Sequence, residues 1–184
     1  KYDFSVVDRQ IADILIANPN AELICMADLN SPLWLTRQLA GNNADSFTNL
    51  SEAISNPRWL EATGNYLEAL ARHCESKHGG RICSYVLACG YTDEWMDYSN
   101  GNATADKFRR YHEWCVEHQF DPPADIPPQS LRDHIGFDDF LRDPESDGEA
   151  LRYWKFTSEL IVDGISNFAG ILRQRIRHGV AIGV

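Results

Sequence analysis

The sequence predicts an α/β fold, parallel strands with covering helices, and three observations carry that expectation. Short apolar runs of strand length occur at 22–27, 82–88 and 180–184. Longer stretches with helical periodicity lie between them, and strands that are apolar throughout need helices laid over the sheet. The 184 residues are 43% hydrophobic and 24% charged, a composition that fits one packed domain and excludes a disordered chain. No period of roughly 20 to 50 residues recurs, which removes a solenoid. On these grounds a barrel and an open doubly wound sheet both remain.

The elements follow in order. Ser5-Val6-Val7-Asp8 has capping-box form, so a helix is expected to start there, with Val7, Ile11, Ile14 and Leu15 on one face and Pro19 as its end. Glu22-Leu-Ile-Cys-Met-Ala27 reads as a strand buried on both faces. It runs into a polar and aromatic loop, Asp28-Leu-Asn-Ser-Pro-Leu-Trp34. After a Gly/Asn/Ser-rich stretch, Asn56-Pro57 supplies an N-cap and a first-turn proline for a helix striped by Trp59, Leu60, Tyr66, Leu67, Leu70 and Cys74. Gly79-Gly80 stops it, and Ile82-Cys-Ser-Tyr-Val-Leu-Ala88 reads as the next buried strand.

Thr104 is expected to cap a shorter helix lined by Phe108, Tyr111, Trp114 and Cys115. Residues 119–146 hold five of the eight prolines and many carboxylates, a loop of functional length. A long helix is expected from about Asp147 to His178, with Gly179 as its C′ residue, before a last strand at Val180–Val184. Trp59, Trp114 and Trp154 read as packing residues on helix stripes. Both ends read as cut, so the expectation is a fragment of a longer chain.

Composition also excludes function classes. Seventeen Lys+Arg against 27 Asp+Glu give a net charge of −10 with no basic block, which disfavours nucleic acid as a partner. No apolar run is long enough to span a bilayer, and no targeting segment is readable. The five cysteines are scattered without a CxxC pair, so neither a disulfide framework nor a zinc knuckle is indicated, and four of them are expected as buried thiols. No strand is followed by GxGxxG or GxxxxGK[ST], no GxSxG elbow occurs, and none of the six histidines forms HExxH. The acidic cluster of Asp138-Asp139 and 143–147 lacks EF-hand spacing and reads as a solvated surface.

The informative segment is Tyr85-Val-Leu-Ala-Cys-Gly-Tyr-Thr-Asp-Glu-Trp95. An apolar strand ends in glycine and then sets Asp93 and Glu94 between Tyr91 and Trp95, at the C-terminal end of a parallel strand, where β/α folds place catalytic groups. Glycosidic cleavage needs one carboxylic acid to protonate the leaving oxygen and a second carboxylate to attack the anomeric carbon or activate water. Aromatic rings suit the apolar faces of sugars. Taken alone, the acidic pair reads first as solvated loop carboxylates.

The segment GYTDEW (90–95), then Asp97-Tyr98-Ser99 and FRRYHEW (108–114), resembles the fourth-strand region of the β-galactosidase-like glycoside hydrolases, relatives of glycoside hydrolase family 42 in the retaining (β/α)8 clan. Residues 2–34 resemble that family's second helix, third strand and following loop, while Phe140–Pro144 and Tyr153–Leu160 resemble the approach to its fourth helix. The resemblance implies a partial (β/α)8 TIM barrel, from about the second helix to the fifth strand, within a single catalytic domain. A long βα loop insertion would lie at about 90–146. It implies Glu94 as general acid/base, with Asp93, Tyr91, Trp95, Asn30 and Trp34 contacting a carbohydrate substrate. The nucleophile is expected outside this segment, and no metal or other cofactor is called for.

One departure stands out. The clan places Asn directly before this glutamate, where its amide binds the sugar 2-hydroxyl, and this chain has Asp93. A second carboxylate there is expected to raise the pKa of Glu94 and to alter the 2-hydroxyl contact. Asp93 therefore keeps open a non-catalytic carbohydrate-binding barrel. A third reading is a metal-dependent α/β hydrolase using Asp28, Asp93 and Glu94.

Overall fold

The computed structural model describes residues 1–40, 50–87, 95, 104–132 and 142–184, apart from the side chains of residues 40, 51 and 52. The chain divides into two compact units. The first comprises Lys1–Leu29, Glu61–Tyr91 and Ile165–Val184, the second Asn30–Leu60 and Thr92–Gly164.

The first unit holds the sheet. Strands β1 (Leu23–Ala27), β2 (Ile82–Leu87) and β3 (Ala181–Gly183) lie in the order β1-β2-β3, all parallel, so β2 is central. The expected strands and their parallel pairing are thus present in a mixed α/β fold, and the described residues form an open three-stranded sheet. Register aligns Cys25, Tyr85 and Ile182 on one face, and Ile24, Met26, Ser84, Val86, Ala181 and Gly183 on the other.

The first of these faces is covered. Helix α4 (Pro57–His78) lies against it: the Tyr85 hydroxyl donates to Glu75 at 2.9 Å, and the Cys25 thiol meets that of Cys74. Burial pushes the Tyr85 phenol far above its ordinary value, with the Glu75 carboxylate adding to the shift. The second face is open, with Ile24 61% and Met26 59% exposed. This corrects the expectation of strands buried on both faces. A run that is apolar at every position shows only that both faces are compatible with burial. Cys83, expected as a buried thiol, is exposed: the register shifts beside it, Leu23 pairing with Ile82 and Ile24 with Ser84, so Cys83 has no partner on β1 and its thiol donates to the Leu23 carbonyl at 3.4 Å.

Helix α1 (Ser5–Ala17) also departs from expectation at its start. The capping box is not formed. Ser5 is already helical, and its amide donates to Asp3 at 2.9 Å. Asp8 instead reaches α4, 2.7 Å from His73 Nε2 and 2.6 Å from Lys77 Nζ. Of the expected stripe on α1 only Ile11 is buried, and Ile14 is exposed.

The second unit is helical. Helix α2 (Leu33–Ala40) begins inside what reads in the sequence as loop, because Pro32 supplies a first turn whose carbonyl accepts from the Leu35 amide. The short α3 (Leu50–Ala53) and α6 (Gln129–Arg132) belong here, as do the first turn of α4 and α5 (Ala105–Glu117). Both expected caps are made: Asn56 Oδ1 accepts from the Arg58 and Trp59 amides, and Thr104 Oγ1 from the Lys107 amide at 3.2 Å.

Helix α7 (Gly148–Arg173) supplies Tyr153 and Phe156 to a cluster with Tyr111 and Trp114. It ends five residues short of the expected His178, so Gly179 is not its C′ residue. The Arg175 and Ile176 amides already turn back to the Leu172 carbonyl.

Candidate functional site

The site expected from the sequence rests on two chain segments that leave the C-terminal ends of neighbouring parallel strands. Of the second, only Trp95 is described. Tyr91, Asp93 and Glu94 lie outside the described residues. Trp95 is half-buried, and its indole N–H is enclosed with no hydrogen-bond partner among the described residues. An enclosed donor without an acceptor costs roughly 1–3 kcal/mol, a deficit that a ligand oxygen would remove.

The segment after β1 is built in detail. Asn30 is half-buried and Ser31 is 3% exposed. The Ser31 hydroxyl accepts from the indole N–H of Trp59, a fully buried side chain, at 2.9 Å. Trp59 is held in turn by the Asn56 cap, whose amide nitrogen donates to Asp106 at 2.8 Å. On the other side, the Thr36 hydroxyl donates to the Pro32 carbonyl at 3.2 Å. The turn that carries Asn30 is therefore pinned from the start of α4 and from α2.

Trp34 sits in the first turn of α2, not in a loop, and is 58% exposed beside the exposed Leu33. Trp59 and Trp114, read as packing residues, are indeed buried. Glu159 also holds a structural place, accepting from the Trp114 indole at 2.6 Å.

Sequence reasoning missed two cationic side chains in the second unit. Lys107 is fully buried and Arg132 nearly so, at 5.9 and 5.4 Å from the centroid of the Tyr153 ring. Lys107 falls four residues before Tyr111, a buried position on the α5 stripe, a spacing that could have marked it as inward. Among the described residues no group of three His, Cys, Asp or Glu side chains is arranged to hold a metal ion. Asp28, the one described member of the metal reading, is exposed.

No protein-family model, curated protein or solved structure matches this chain.

Proposed function

We propose that the chain is the middle portion of a (β/α)8 glycoside hydrolase of β-galactosidase-like type, acting by retention. Glu94 protonates the departing oxygen and then deprotonates the incoming water, and a second carboxylate outside residues 1–184 serves as nucleophile. Asn30, Trp34, Tyr91, Asp93 and Trp95 contact the sugar.

The observation that carries the proposal is that the acidic and aromatic segment 91–95 leaves the central strand of a parallel sheet in consecutive order. The sheet also favours the barrel over a doubly wound arrangement. A doubly wound sheet carries helices on both faces. Here Ile24 and Met26 are exposed on one face, as on an arc of barrel wall before the remaining strands enclose it. Helices α4 and α7 are connections of the kind that parallel strands require.

The test is Glu94→Gln in the intact protein. Loss of the acid/base is expected to lower kcat/KM on alkyl β-galactosides by about 10²–10⁴-fold. The loss is expected to be smaller on aryl substrates whose leaving groups need little protonation. Unchanged hydrolysis of both kinds of substrate would remove the proposed role. Asp93 in place of asparagine supports one further reading, a barrel that binds glycans without cleaving them. Galactoside binding by a wild-type protein that does not hydrolyse either substrate would select it.

A further inference from the structure

The first unit contains a cavity that the glycosidase reading does not use. It lies where the chain enters β2 and β3, has a volume of about 530 Å³, and is lined by Arg72, Ser76, Gly80, Arg175, Arg177 and His178, among others. That volume lies within the range of small-molecule sites, which runs from roughly 300 to 1,000 Å³. Its lining is unusual for a chain whose net charge is −10.

The cations are not accounted for by helix ends. Favourable interaction of a cation with a helix C-terminus fades beyond the last turn. Arg175, Arg177 and His178 all follow the end of α7 at Arg173. Ion pairing leaves a surplus as well. Arg72 and Arg175 both donate to the same oxygen of Glu68, Oε1, so most of their N–H groups have no partner among the described residues. That carboxyl is held below its ordinary range, by Arg175 first and then Arg72, so it stays ionised.

Glu75 is taken by the Tyr85 hydroxyl at 2.9 Å and lies 3.2 Å from His178 Nε2. Arg177 has no carboxylate partner among the described residues. Among the described residues, three guanidinium groups thus face two carboxylates, Glu68 and Glu75, which leaves one positive charge unmatched before His178 is considered.

The turn is shaped to leave the space empty. A Cβ at Gly79 would stand 2.9 Å from the Glu75 carboxylate, so glycine there lets that carboxylate lie flat against the turn. A Cβ at Gly80 would meet nothing within 4 Å, so this position opens into free volume.

The geometry points to a binding site for the phosphate group of a small molecule in this cavity, with Arg177 as its principal cation and Arg72, Arg175 and Ser76 as further donors. Guanidinium groups present forked N–H pairs that match tetrahedral oxyanions, and an oxyanion supplies the charge the cavity lacks. The proposal stands independently of the glycosidase reading.

The test is isothermal titration of the protein with inorganic phosphate and with phenyl phosphate, at constant ionic strength maintained with chloride. Saturable one-to-one binding is expected, weakened at least tenfold by Arg177→Gln and by Gly80→Leu, which fills the space without removing charge. Arg173→Gln, at an arginine that does not line the cavity, is expected to leave binding unchanged. Tighter binding of phenyl phosphate identifies a phosphomonoester as the ligand, and tighter binding of inorganic phosphate identifies the free ion. Absence of saturable binding to wild type, or equal weakening by Arg173→Gln and Arg177→Gln, would overturn the proposal.

Discussion

Asp8 shows how one carboxylate can serve a purpose other than the one its sequence pattern suggests. Spaced three residues after Ser5, it has the form of a capping partner, yet the cationic side of α4 offers a stronger interaction. The Lys77 ammonium, followed by His73, holds its carboxyl far below the ordinary range. A carboxylate whose folded-state pKa is depressed contributes stability above its unfolded value, about 3.9, and loses it as pH falls through the folded one. Asp8→Asn is therefore expected to lower the melting temperature at pH 5 and above. Below about pH 4 the difference from wild type should shrink progressively. Thermal unfolding followed by circular dichroism at stepped pH checks this, and a difference that persists undiminished to pH 2 would refute the assignment. Pairs such as Asp8 with Lys77 or Trp59 with Ser31 join residues far apart in sequence, and local spacing carries no signal for them. The caps at Asn56 and Thr104 are local, and both were legible.

Among the elements, α7 gives the sharpest contrast, because the same substitution at two of its glycines is expected to act in opposite directions. At Gly170 a Cβ meets nothing within 4 Å, so Gly170→Ala brings only the gain in helix propensity, about 0.5–1 kcal/mol of added stability. At Gly164 a Cβ would fall 2.0 Å from Ile54 Cδ1 and 2.6 Å from Cγ1. Ile54 is 1% exposed and has no open space to yield into. Overpacking of this kind costs about 1–3 kcal/mol, which outweighs the propensity gain, so Gly164→Ala should destabilise. In an Ile54→Ala background both clashing atoms are gone, and the added methyl should become neutral or stabilising. Urea denaturation of the four variants decides it, and the account fails if Gly164→Ala costs the same in both backgrounds. The helix itself was legible from its stripe. Its end was not, because Arg175, Arg177 and His178 continue a polar pattern compatible with helix, whereas the backbone leaves the helix after Arg173, the Arg175 amide tightening to an i→i−3 bond with Leu172.

For the molecule as a whole, the deciding feature is the uncovered side of the sheet. The sequence made the parallel strands and their helical connections legible, since apolar runs separated by periodic segments admit few other arrangements. It could not distinguish a barrel wall from the middle layer of a doubly wound sheet. A strand facing a barrel interior and one facing a second helix layer are both apolar at every position, and Leu23-Ile-Cys-Met-Ala27 satisfies either. Asp93 and Glu94, which carry the expected chemistry, lie outside the described residues, and the pinning of Asn30 through Ser31 and Trp59 depends on tertiary contact that local spacing does not signal. Met26 offers a direct test of the barrel. It is 59% exposed on the open face, and a charge at a residue that stays exposed changes stability by no more than about 0.5 kcal/mol. If that face fills a barrel interior in the intact protein, Met26→Glu should instead cost at least about 3 kcal/mol, from lost apolar burial plus the enclosure of a carboxylate. Ile16→Glu, at an α1 position 81% exposed, is the matched control and should be nearly silent. Equal, small effects of the two substitutions on the denaturation midpoint of the intact protein would show that the sheet keeps this face in water, and the barrel would have to be given up.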